Sequence, residues 1–114
     1  METHQINTID SFLNEILMHD AEIEETTNAG IPALHRLVAI AKGDTGQCSR
    51  VRLFLLGLYN GHRFPFDLTQ LRGLDKPIFD DCMAVLTMDA RATQQEVHQY
   101  IENGSELFER WASL

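Results

Sequence analysis

Apolar residues in this chain recur at intervals of three and four, from its first residues to its last. Ile9, Phe12, Leu13, Ile16 and Leu17 open the pattern, and Leu34, Leu37, Val38 and Ala41 repeat it. Cys48, Val51, Phe54, Leu55 and Leu58 carry it through the middle, and Ile78, Phe79, Cys82, Val85 and Leu86 follow. Val97, Tyr100, Ile101, Leu107 or Phe108, and Trp111 complete it. This spacing places side chains on one face of a helix, and no segment sustains the period-two alternation of a strand. With 114 residues, 44% of them hydrophobic, the chain has the size and the apolar content for one core. The expectation is an all-α, single compact domain of about five to six helices.

Punctuation divides the pattern. Asn7 or Thr8 can cap a first helix, which decays into Glu24-Glu25-Thr26-Thr27-Asn28-Ala29-Gly30, a polar stretch of turn formers that reads as a linker. Pro32 suits the first turn of a second helix, and Gly43 stops it. The helix from about 47 to 59 has Leu53 and Leu56 opposite its main apolar face, so it belongs at the centre of the domain. Asn60-Gly61 ends it, Phe64-Pro65-Phe66 crosses back, and Asp67 can cap a short turn. Asp75 with Pro77 starts a further helix, while Thr93 and Glu96 form the T-x-x-E of a capping box for the last one. Asn103-Gly104 either breaks that helix or places Gly104 where a neighbour comes close. Residues 1–28 thus read as an acidic N-terminal helix that docks on its own domain or is exchanged with a second copy, and residues 32–114 read as the core.

The net charge of −8 is unevenly spread. Residues 1–35 hold seven acids and no Lys or Arg. From 36 to 63 the order reverses, with Arg36, Lys42, Arg50, Arg52 and Arg63 against Asp44 alone; residues 64–114 return to nine acids against four bases. Such a chain repels nucleic acid unless the middle segment forms one basic face, so nucleic acid is not expected as a partner. The start of the chain has neither a basic n-region nor an apolar h-region, and no apolar run approaches the ~20 residues of a membrane span. An unexported, cytoplasmic protein with no membrane partner is expected.

Asp44-Thr45-Gly46 is the tripeptide that carries the catalytic carboxylate of aspartic proteases. In those enzymes it ends an apolar strand and is followed by a small residue, whereas here the flanks have helical period and Gln47 follows. The loop reads instead as helix punctuation. Gly43 takes the left-handed conformation, Asp44 caps the next helix, and Gln47 reaches back as its capping-box partner. A helix-turn-helix would place Arg50 and Arg52 early in a recognition helix, but two residues apart on a helix is a rotation of roughly 200°, which points them to nearly opposite sides. His4, His19, His35, His62 and His98 show no metal-ligand pattern beyond the pairs Glu15–His19 and His98–Glu102, which read as solvated surface pairs. Cys48 and Cys82 read as free buried thiols. No catalytic, cofactor or metal site is expected.

The stretch 33–86 resembles an uncharacterised family of small proteins from proteobacterial chromosomes, prophages and integrated mobile elements. The residues that carry the likeness are Gly43 to Gln47, Arg50, Phe54-Leu55-Leu56, Asn60, Phe66-Asp67-Leu68, and Asp75, Ile78 and Asp81. Leu58-Tyr59 stands where members often carry tryptophans, and the acidic N-terminal helix lies outside the match. The resemblance implies no activity, only an accessory role in a mobile element. The expectation is a non-enzymatic protein that binds another protein, with Ile9, Phe12, Leu13, Ile16, Arg50, Arg52 and Arg63 as candidate contact residues. A homodimer through exchange of the terminal helix is left open. The competing readings are an acidic nucleic-acid mimic that inhibits a host nuclease or defence complex, and a helix-turn-helix DNA-binding regulator.

Overall fold

The structure, a computed structural model, describes residues 2–114, with side chains from residue 8 onward. Among the described residues there is no strand, and four α-helices are joined by short helical turns: α1 (Glu2–Ala41), α2 (Gly46–Tyr59), α3 (Lys76–Thr87) and α4 (Gly104–Ala112). Leu68–Gly73 and Val97–Tyr100 are 3-10 turns, and Met88–Ala92 continues α3 as a π-helical turn.

The largest departure from the sequence reading is α1, which absorbs the first two expected helices and the linker between them. Thr8 lies inside it, not at its cap, and the side chain of Asn7 falls outside the described residues. Residues 24–30 are helical, and Pro32 sits in the helix interior. The physical reason lies in what these residues touch. Ile23, Thr26 and Thr27 are half-buried, and Gly30 is buried where α1 passes so close to the π-helical turn that a Cβ there would lie 2.5 Å from Met88 Sδ. Small and polar residues that read as turn formers are a close-approach face. Packing outweighs the propensity of a few weak helix formers.

The core gathers Leu34, Leu37, Val51, Leu55, Cys82, Val85, Met88 and Phe108, all buried. α2 packs against α1, α3, α4 and both 3-10 turns, so it holds the central place, although Leu53 remains 42% exposed. Its N-cap is Thr45, not Asp44: the Thr45 hydroxyl accepts from the Cys48 amide at 3.3 Å. Gly43 does not have positive φ; its lack of a side chain makes room for Cys48, whose Sγ would lie 2.6 Å from a Cβ there.

Gln47 does not turn back to Asp44. It bonds Asp75, accepting from the Asp75 amide at 2.7 Å and donating to its carboxylate at 3.0 Å, and so ties the start of α2 to the start of α3. Asp67 accepts from the Thr69 amide at 2.9 Å and caps the first 3-10 turn. Thr93 is not an N-cap: at φ 50 it closes the π-helical turn in the left-handed region, and Glu96 caps the second 3-10 turn in a box completed by Gln99. The C-terminal segment is divided. Asn103 is left-handed at φ 57 before α4, and Gly104 is also a close approach, since a Cβ on it would fall 1.9 Å from the His98 carbonyl oxygen. Both roles left open for this pair are present together.

Candidate interaction surface

α1 outruns the domain it helps to build. Its 40 residues, at ~1.5 Å each, make a rod of about 60 Å. Residues 31–41 lie in and along the core, whereas residues 8–22 are exposed on every side. Nucleation is the costly step of helix formation, and the buried half supplies it, so the outer half needs no packing of its own to remain helical. Ile9, Phe12, Leu13, Ile16 and Leu17 keep their three-and-four spacing on this arm and stand 43% to 64% exposed. The stripe neither clasps its own domain nor meets any other described element. Burying the exposed half of five such side chains contributes on the order of 5 kcal/mol. Association costs ~4–15 kcal/mol, so apolar area alone gives weak binding and another term must set affinity and choice of partner.

The arginines of the middle segment do not form one basic face. Arg50 donates to the carbonyl and the side-chain oxygen of Gln70, at 3.0 Å and 2.8 Å, and holds the first 3-10 turn to α2. Arg52 donates to the carbonyls of Ala41 and Gly43, at 2.9 Å and 3.2 Å, and satisfies the C-terminal end of α1. Arg63 forms a forked pair with Glu109, at 2.7 Å and 3.2 Å, and Tyr59 donates to the same carboxylate. The bonds from Arg63 and Tyr59 hold the Glu109 carboxyl below the usual glutamate range, and the bond to Glu109 raises Tyr59. Arg36 makes a bidentate pair with Asp81, two bonds of 2.9 Å that clamp α1 to α3.

The remaining chemistry is sparse. Among the described residues no group of three or more His, Cys, Asp and Glu could hold a metal ion. Asp44 lies in the exposed loop before α2, and no group of acids that could hold a metal ion gathers around it among the described residues. Cys48 receives a bond from the Thr45 hydroxyl at 3.0 Å, which lowers its thiol pKa, while burial pushes Cys82 up to about 12. Apolar clefts open on the body. One of about 290 Å³ lies at the foot of the arm between α1 and α3, beside Ala29 and Met83. Another of about 170 Å³ lies between α2 and the first 3-10 turn, beside Phe66, Leu68 and Leu71. No described helix is long and apolar enough to cross a membrane.

A family model matches residues 31–114, about three-quarters of the chain and most of the packed body. The chain belongs to a family of unknown function, DUF7673. No curated protein and no solved structure matches it. The DUF7673 match begins at Ile31, where α1 enters the core, so the exposed arm lies outside it. The string that runs from Gly43 to Asp81 lies inside it, and most of the polar groups that carry the likeness are engaged in the fold, Asp44 excepted. Gln47 joins Asp75, Arg50 holds Gln70, Asn60 accepts from the Arg63 amide, Asp67 caps a turn and Asp81 holds Arg36. That network specifies how the elements of the DUF7673 body are joined. The sequence carried signals for each residue but not for the pairings that join elements, because Arg50–Gln70, Gln47–Asp75 and Arg36–Asp81 lie 20, 28 and 45 positions apart.

Proposed function

We propose that this protein is a non-enzymatic, cytoplasmic interaction module: residues 31–114 form the rigid body, and the outer half of α1 is the element by which it docks on another protein. The observation that carries this reading is the unpartnered stripe of Ile9, Phe12, Leu13 and Ile16 on a helix that projects from the body. Large apolar side chains in a row on an exposed helix are a recognised mode of recognition, in which the anchors at i, i+3, i+4 and i+7 enter a groove or face a second helix. Arg50, Arg52 and Arg63 support the reading from the other side. Their guanidinium groups are taken up within the chain, which leaves little cationic surface for a duplex. The accessory role in a mobile element belongs to this proposal on the strength of the sequence resemblance alone.

The test is a comparison of tagged wild-type protein with the double variant Phe12→Glu, Ile16→Glu in affinity purification from the cells that make it. Both residues are exposed, so the variant keeps its fold, which circular dichroism checks. Proteins that accompany the wild type and are absent with the variant are the expected result. The same set of companions with both would place the docking surface elsewhere.

A further inference from the structure

The arm carries charges whose placement selects what can cover it. Ile9, Leu13, Ile16 and Ile23 follow one line along α1, and Asp20 falls on that line, four residues after Ile16 and three before Ile23. It therefore stands inside the apolar stripe and not beside it. Asp10 and Glu24 border the stripe along one edge, and Glu15 lies beyond Phe12 along the other. The ion pairs among the described residues are Arg36–Asp81, Arg63–Glu109 and Lys76–Asp80, and none includes an arm carboxylate.

Any helix laid on the stripe covers Asp20. A carboxylate removed from water without a counter-charge is strongly unfavourable, so the covering helix must bring a cation to that position. A second copy of the arm brings no Lys or Arg, since the first of the chain is Arg36; its His19 lies about 100° round the helix from Asp20, off the centre of the stripe, and its acid edges would lie against those of the first copy. The body is no better a source. Five of the nine bases are engaged as described, and Lys42, Arg72, Arg91 and Arg110 belong to four separate segments of the chain.

We infer that residues 8–23 are the seat of a cationic amphipathic helix from another protein, with a Lys or Arg opposite Asp20 that fixes the register and further bases along both edges of the stripe. This rests on the reading of the arm as the docking element and narrows it to the chemistry of the partner. Asp20 acts here as a single polar residue in the seam of a helix pair does, at a cost in affinity and with a gain in selectivity. The stretch from Ile9 to Ile23 is roughly 20 Å long, so a partner helix of about four turns covers it.

The experiment uses the full chain and three fluorescent synthetic peptides of equal length, read by anisotropy. The first has a Leu stripe, Lys along both edges and one Lys within the stripe. The second replaces every Lys by Glu, and the third has the composition of the first with the helical period scrambled. The first peptide binds at least about tenfold more tightly than the others, binds less well as salt is added, and loses on the order of tenfold with Asp20→Asn. Phe12→Ala with Ile16→Ala weakens it as well, while circular dichroism of both variants is unchanged.

Equal binding of the acidic peptide overturns the inference and leaves the arm a docking element indifferent to charge. Equal binding of the scrambled peptide, or no binding of any, also overturns it. A concentration-dependent dimer of the protein alone in sedimentation would assign the stripe to a second copy, and preferential binding to phosphatidylcholine vesicles would assign it to a lipid surface. Failure of the docking reading itself has a different sign: companions purified with the protein that are indifferent to Phe12→Glu, Ile16→Glu.

Discussion

Thr45 shows how a one-residue shift changes the part a side chain plays. Asp44 and Thr45 are both residue types that cap helices, and the sequence contains nothing that ranks two adjacent candidates. The backbone decides: Thr45 has the extended conformation of a cap, and its hydroxyl both accepts from the Cys48 amide and donates to the Cys48 sulfur. Asp44 makes no such bond, and without it the residue is an exposed loop side chain. Thr45→Ala should therefore lower stability by ~0.5–2 kcal/mol. Asp44→Ala should change it by less than ~0.5 kcal/mol. Urea titration of the two variants beside the wild type distinguishes them, and a larger loss for Asp44→Ala would return the cap to that residue. Thr93 and Glu96 show the same shift: T-x-x-E reads as a cap at Thr93 with Glu96 as its partner, whereas Glu96 is itself the cap, Gln99 completes its box, and Thr93 closes the preceding turn.

At the scale of elements, the helical period was legible almost everywhere and the junctions were not. The inner faces of α2 and α3 follow largely from spacing, because amphipathicity is a local property, although Phe79 and Leu86, on the expected inner face of α3, stand 36% and 37% exposed. The junction at 24–32 depended on a distant one. Gly30 is small because Met88 lies against it, and that contact joins positions far apart in the chain. Pro32 turns this into a measurable difference. At the first turn of a separate helix a proline costs nothing, since its missing amide has no partner there in any case. Inside a continuous helix it removes a hydrogen bond and costs ~3 kcal/mol relative to alanine. Pro32→Ala should raise the thermal midpoint clearly, with slower amide exchange in the turn around it. A variant no more stable than the wild type would mean that two helices meet at Pro32.

The whole molecule is longer than its chain length predicts. A compact domain of this size has a radius of gyration of about 13 Å; here it is 18.0 Å, with a longest dimension of 65 Å against 28 and 24 Å across. The difference comes from the arm. The sequence showed an apolar stripe that demanded burial and a loose tether, which led to a helix clasped to its domain or exchanged. The structure has no loose tether, so α1 cannot fold back, and its stripe is held away from the body that shares its helix. Stability and elongation are therefore separable. Residues 8–20 contribute no buried side chain, so deleting residues 1–20 should leave the thermal midpoint within about 2 °C of the full chain. Small-angle scattering of the same truncated protein should show the radius falling toward ~13 Å. The cut must stop there, because Ile23 packs against the core and Gly30 is part of it. Aggregation of the truncated protein, or a midpoint lowered by more than about 5 °C, would show that the arm lies against its own body in solution, and would remove the surface on which the docking proposal stands.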